Sequence, residues 1–140
     1  MRPYAKLHPH TEKAEKFCAV TLEKLQHALP GHDMERRFIP YVCMHEFEAL
    51  LFSNTTKLAA HLGVAPKQTE QIVRSCGEPE RINDSGKTAP SGRIRSLNAR
   101  YGKIATGITI ARDIGIAAMR AQCPLFHAWL TKLENLKPLQ

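Results

Sequence analysis

No two cysteines of this chain stand close together. Cys18, Cys43, Cys76 and Cys123 are scattered, so neither a CxxC zinc spacing nor a secreted disulfide framework is expected. We read them as reduced, mostly buried small apolar residues. No apolar run approaches the roughly 20 residues needed to span a bilayer, so no membrane association is expected. The opening Met1-Arg2-Pro3-Tyr4-Ala5-Lys6 lacks the apolar core of a signal peptide, which makes a cytoplasmic location the default expectation. Internal repeats and low-complexity tracts are missing, and nothing marks a domain boundary. Acid is scarce where base is dense. Residues 85–120 carry Lys87, Arg93, Arg95, Arg100, Lys103, Arg112 and Arg120 against Asp113 alone, +6 of a total of +7. Such a segment suits an anionic partner such as nucleic acid, although a solvated helix face has the same composition.

What is present points to one domain spanning 1–140, large enough for a real core. Apolar residues at three- and four-residue steps (Ala14, Cys18, Leu22, Leu25, Leu29) predict a helix from Thr11 to about Leu29, stopped by Pro30-Gly31. Phe38-Ile39-Pro40-Tyr41-Val42-Cys43-Met44 reads as a strand, with Pro40 confining it to an edge or a strand start. A short helix over Glu46 to Phe52 follows. A helix capped by Ser53, Asn54 or Thr55 then runs to Gly63, and another runs from Pro66 to Cys76. Glu78 to Gly92 is a long polar loop. Beyond it the pattern predicts a helix capped by Ser91, then Thr106–Ile114, Ile116–Gln122 and a last helix opened by Pro124, with Leu125, Trp129, Leu130 and Leu133 facing inward. A lone strand cannot satisfy its hydrogen bonds, so either further short strands escape this reading, or the strand pairs with another chain, or the chain is a remnant of a larger α/β domain, predominantly helical with one to three short strands.

His45-Glu46-Phe47-Glu48-Ala49-Leu50-Leu51-Phe52 is the most informative stretch. Two carboxylates at the end of a strand can hold magnesium or manganese, which favour oxygen ligands. In the first turn of a helix the same two residues would only complement the helix dipole. A zinc-protease HExxH motif is excluded, because position 49 is Ala49. Gly86-Lys87-Thr88 resembles the end of a nucleotide-triphosphate loop, but Arg81 stands where that motif needs its first glycine and no apolar strand precedes it. What remains is a hydroxyl, amide and cationic loop, Asn83-Asp84-Ser85-Gly86-Lys87-Thr88-Ala89-Pro90-Ser91-Gly92-Arg93. It could hold phosphate oxygens or merely close on its own hydrogen bonds. The histidines show no ligand spacing, and Phe126 and Trp129 fit a core better than a stacking platform.

Taken together, Phe38–Val42, His45–Phe52, Ile82-Asn83-Asp84, Lys87–Ser91 with Arg93, and Ile114-Gly115 through Cys123-Pro124 to Trp129-Leu130 resemble one family. It is the Toprim-like family that includes the AriB-type effector nuclease of PARIS anti-phage defence. The resemblance covers about residues 35–135. It implies a Toprim-like α/β domain of which this chain looks like the carboxyl-terminal half, since an early glutamate and a D-x-D pair are not evident. It also implies metal-dependent cleavage of DNA or RNA of an anti-phage toxin type, with magnesium or manganese on Glu46 and Glu48 as the catalytic and metal-ligating residues. Asn83, Asp84, Lys87, Thr88, Ser91 and Arg93 would contact phosphate. A homodimer or an ATPase partner protein would accompany it. The alternative is a non-catalytic module that binds nucleic acid or protein through its basic surface, with an exposed strand edge near Phe38–Met44.

Overall fold

The structure is a computed structural model that describes residues 9–82 and 87–137. These residues form eight α-helices and two short 3-10 helices, and no strand occurs among them. They belong to two compact units, one of Met1–Met44 with Ala128–Gln140 and one of His45–His127. The expected α/β class, and with it the Toprim-like architecture, is therefore wrong. No helix among the described residues is long and apolar enough to cross a membrane.

In the first unit, α1 (Pro9–Ala28) follows the predicted period. Ala14 is buried and Cys18, Leu22 and Leu25 are half-buried, while Phe17, Val20 and Leu29 stay exposed. One turn, α2 (Met34–Arg37), follows. Phe38 is extended (φ −128, ψ 119) and the chain stays irregular to Met44. The predicted strand fails for a physical reason. Composition supports an extended backbone, but a strand also needs a neighbour to accept its N–H groups, and no other described segment offers one. Its side chains pack without a ladder: Tyr41 stacks on Trp129, with ring centroids 4.8 Å apart and planes 19° apart. The strand edge expected to recruit a second chain is therefore not there.

The second unit is built around a 3-10 helix, Phe47–Ser53. Leu51 and Phe52 are fully or almost fully buried and join Leu58, Leu62, Ile82, Ile94, Tyr101, Ile110, Ile114 and Met119 in one core. Local chemistry sets the boundaries of the surrounding helices. Asn54 caps α3 (Thr55–Leu62) by accepting the Lys57 N–H at 3.0 Å, and Gly63 ends it in the left-handed region (φ 68). Pro66 opens α4 (Pro66–Cys76). The buried Thr69 hydroxyl lies 2.8 Å from both the Thr55 and the Pro66 carbonyl oxygens, tying α4 to α3. A short 3-10 turn, Pro79–Arg81, precedes α5 (Pro90–Leu97), α6 (Ala105–Ile114), α7 (Ile116–Gln122) and α8 (Pro124–Glu134). Asp113, near the end of α6, pairs with Lys57 (3.1 Å) and His61 (3.0 Å) of α3.

Gly107 marks the tightest contact. A Cβ there would stand 2.8 Å from the Tyr101 hydroxyl and 3.7 Å from the Phe47 ring. We expect Gly107→Ala to lower the unfolding free energy by about 1–3 kcal/mol in urea denaturation. Gly102→Ala, whose new carbon would meet Thr106 Oγ1 at an ordinary 3.8 Å, should change it little.

Candidate site around Glu46 and Glu48

The two acids stand two positions apart, and the backbone between them decides what they can do. Along a strand such a pair shares one face. In a 3-10 helix each residue turns about 120°, so residues two apart diverge. Here Glu46 is the N-cap of the Phe47–Ser53 helix (φ −63, ψ 156) and Glu48 lies in its first turn. The carboxylates accordingly reach different partners.

Glu46 Oε2 accepts the backbone N–H of Ser91 at 2.8 Å. The reason lies in α5. Its N-cap is Ala89, which has no acceptor side chain, and Pro90 at the first position has no N–H. The first free amide of that helix is Ser91, and Glu46 satisfies it from 45 residues away. A hydrogen bond from the Ser91 side chain is the main force holding the Glu46 carboxyl below its usual range. Partial burial works against it, while the Ser91 amide and the charges of Lys103 and Arg95 reinforce it.

Glu48 is 0% exposed. Its countercharge is Lys103, with Nζ 3.3 Å from Oε2, on a side chain that is about half exposed. The hydroxyl of the neighbouring Tyr101, a residue only 5% exposed, is within hydrogen-bonding reach of Glu48. Burial, and then the charge of Glu48, pushes the Tyr101 hydroxyl far above the usual tyrosine range, which keeps it protonated at ordinary pH.

The predicted phosphate contacts meet different fates. Asn83 and Asp84 lie outside the described residues. Lys87 is exposed. The Thr88 carbonyl accepts a bond from Arg93 Nε at 2.9 Å, so Arg93 closes its own loop. Ser91 was expected to cap α5 and is instead the capped residue. The structure thus joins Glu46 to Ser91 and sends Glu48 elsewhere, with Lys103 acting on both. Sequence reasoning placed Arg95 and Lys103 only in the basic segment, not beside the two glutamates, and missed Tyr101. It also missed Glu80, whose buried carboxylate accepts the Leu125 and Phe126 amides at 2.9 and 3.0 Å and caps α8. Burial pushes Glu80 upward, against those two hydrogen bonds. A helix that starts with proline and has no Ser, Thr, Asp or Asn before it was the available signal for both distant caps.

The magnesium or manganese implied by the resemblance does not fit this arrangement. Glu46 is committed to Ser91, and Glu48 sits behind an ammonium group. Among the described residues no cluster of three or more His, Cys, Asp or Glu side chains could hold a metal.

The model of a domain family described as Domain of unknown function (DUF4276) matches residues 4–134. No curated protein and no solved structure matches the chain.

Because the Glu46 carboxyl is depressed in the folded chain, its contribution to stability is present above its unfolded value of 4.5 and is lost as pH falls through the folded value. Thermal denaturation between about pH 6 and pH 3 should show Glu46→Gln losing stability less steeply than the parent chain. Part of the slope should remain in both, because the His61 and Lys57 hydrogen bonds also depress Asp113. Equal slopes would show that the Glu46–Ser91 cap carries no linkage.

Proposed function

The chain belongs to the DUF4276 family, and we propose that it is a non-catalytic module that binds the phosphate backbone of nucleic acid through a basic surface of its second unit. One observation carries this reading. Residues 87–112 hold six cations and no acid, and among the described residues Glu46, Glu48 and Asp113 are each engaged by groups of the chain itself. Arg95, Arg100, Lys103 and Arg112 are exposed. Glu46 is spent on the Ser91 amide and Glu48 on Lys103. Asp113, the next acid along the chain, is held by Lys57 and His61 of α3. The remaining positive field is left for an external anion, and phosphates meeting it would release counterions.

Metal-dependent phosphodiester cleavage would ask Glu46 and Glu48 to converge on a cation and leave an oxygen free for it. Their divergence supports binding without cleavage. Glu46 also plays a different part in the two readings. A nuclease needs it as a ligand, whereas a binding module needs it only to hold α5 in place.

Fluorescence anisotropy with a labelled oligonucleotide tests the proposal. We expect binding at low salt that weakens steeply as salt rises. In Arg95→Ala/Arg100→Ala the slope of log affinity against log salt should shrink by about 1.8, at about 0.9 per duplex phosphate contact. No binding at about 20 mM salt would overturn the proposal. Magnesium-dependent cleavage that disappears in Glu46→Ala would restore the nuclease reading.

A further inference from the structure

Three large apolar side chains of the second unit are left in water beside its cations. Ile104 is 79% exposed, Ile108 44% and Phe47 39%. They are contiguous. Ile104, the N-cap of α6, and Ile108 stand one turn apart. The Phe47 ring comes down between them at Gly107, 3.7 Å from where a Cβ would be. Single exposed apolar residues are ordinary on a surface, but a contiguous group marks an interaction site. The cations close in on the same place. The Tyr101 hydroxyl meets the same Gly107, and the charge of Arg95 reaches both that hydroxyl and the carboxyl of Glu46, the residue before Phe47. Arg100 precedes Tyr101, and Arg112 lies one turn beyond Ile108 on α6; all three arginines are exposed. The acids on either side of Phe47 are already answered, Glu46 by the Ser91 amide and Glu48 by Lys103.

A ligand that covers this surface must offer negative charge and apolar faces together. A duplex keeps its base faces inside its own stack and would set charged backbone against Phe47, Ile104 and Ile108. A second copy of the chain would cover the apolar side chains but bring Arg95, Arg100 and Arg112 against their equivalents. An unpaired strand presents phosphates and bare bases at the same time. We infer that the nucleic acid held by this surface is an unpaired strand, one base of which stacks on Phe47 while the neighbouring base or sugar covers Ile104 and Ile108. Arg95, Arg100 and Arg112 then hold the phosphates. Stacking accepts every base, so no sequence specificity is expected. The inference rests on the nucleic-acid reading above and adds the form of the ligand.

Fluorescence anisotropy on the full chain tests it, with a labelled thymidine strand, a uridine strand of the same length, and the thymidine strand annealed to its complement. The first two tell DNA from RNA, and either one meeting the expectations below supports the inference. Single-strand binding should exceed duplex binding, and the margin should widen as salt weakens the phosphate contacts. Phe47→Ala should weaken single-strand binding about tenfold and leave duplex binding unchanged. Ile104→Ser, at a position too exposed to disturb folding, should weaken single-strand binding by less. Phe47→Trp should keep the single-strand affinity. Its added indole fluorescence, read against the parent chain with Trp129 alone, should be quenched by the single strand and not by the duplex. If Phe47→Ala does not fold, Phe47→Trp and Ile104→Ser decide. Duplex binding as tight as single-strand binding at every salt, or single-strand binding indifferent to these substitutions, overturns the inference and leaves nucleic-acid binding standing. A concentration-dependent dimer in light scattering that Ile104→Ser abolishes overturns it in the same way. Failure of both forms to bind at low salt removes the nucleic-acid reading itself, and the inference falls with it.

Discussion

Two carboxylates supplied from far away in sequence hold the second unit in register. Helices α5 and α8 both begin with proline, which fixes the first φ angle and contributes no N–H. The residues before them, Ala89 and Cys123, lack the oxygen that normally caps a helix. Their first free amides would face a partly buried environment unsatisfied. Glu46 reaches Ser91 and Glu80 reaches Leu125 and Phe126, each across about 45 positions. A cap of this kind stabilises by about 1–2 kcal/mol, and here it also fixes where a helix begins relative to a distant segment. A residue that reads as a lone acid in a loop thus becomes a long-range constraint on topology.

The second acid of the pair works by a different balance. Glu48 has no surface, so its charge is tolerable only while Lys103 stays beside it. A buried ion pair of this sort is weak evidence of stability, because desolvation offsets much of the attraction. Its firmer consequence is geometric. It draws the loop between α5 and α6 back onto the Phe47–Ser53 helix, and there Tyr101 packs so closely on Gly107 that an added Cβ would stand 2.8 Å from its hydroxyl. Charge and packing act on one small region together.

Most helices were legible because their punctuation is local. Pro66, Pro124, Gly63, Gly77 and Gly115 mark ends that a reader can find without tertiary structure, and the boundaries at Cys76 and Gln122 agree with the observed ones. The strand was misread because Phe38–Met44 has the composition of an extended segment, and composition carries no information about a hydrogen-bonding neighbour. That error propagated to the site. Had a strand delivered Glu46 and Glu48, their spacing would have put them near one another, and an ion between them would have followed. The 3-10 turn changes the step from alternation to thirds of a circle, and the pair comes apart. Glu46 meets a backbone amide of α5 and not a cation seat. Tyr101 and Lys103 were invisible because each reads alone as an ordinary core aromatic or surface lysine.

The charge pattern gains a structural meaning from these engagements. A surface is basic toward a partner only to the extent that its own acids do not answer it. Among the described residues, Glu46, Glu48 and Asp113 are tied down by a helix amide, by a buried ion pair, and by a lysine and a histidine of α3. The last of these draws its two partners from outside the 87–112 segment, so it spends none of the segment's charge. Lys103 is the exception, half exposed and pulled inward by Glu48. If it swung toward a phosphate, the buried carboxylate would lose its countercharge, and the cost of exposing Glu48 to its own uncompensated field would oppose the move. Lys103 is therefore a reluctant phosphate ligand, and Arg95 and Arg100, which carry no such obligation in the structure, are the groups on which an anionic partner would chiefly rest.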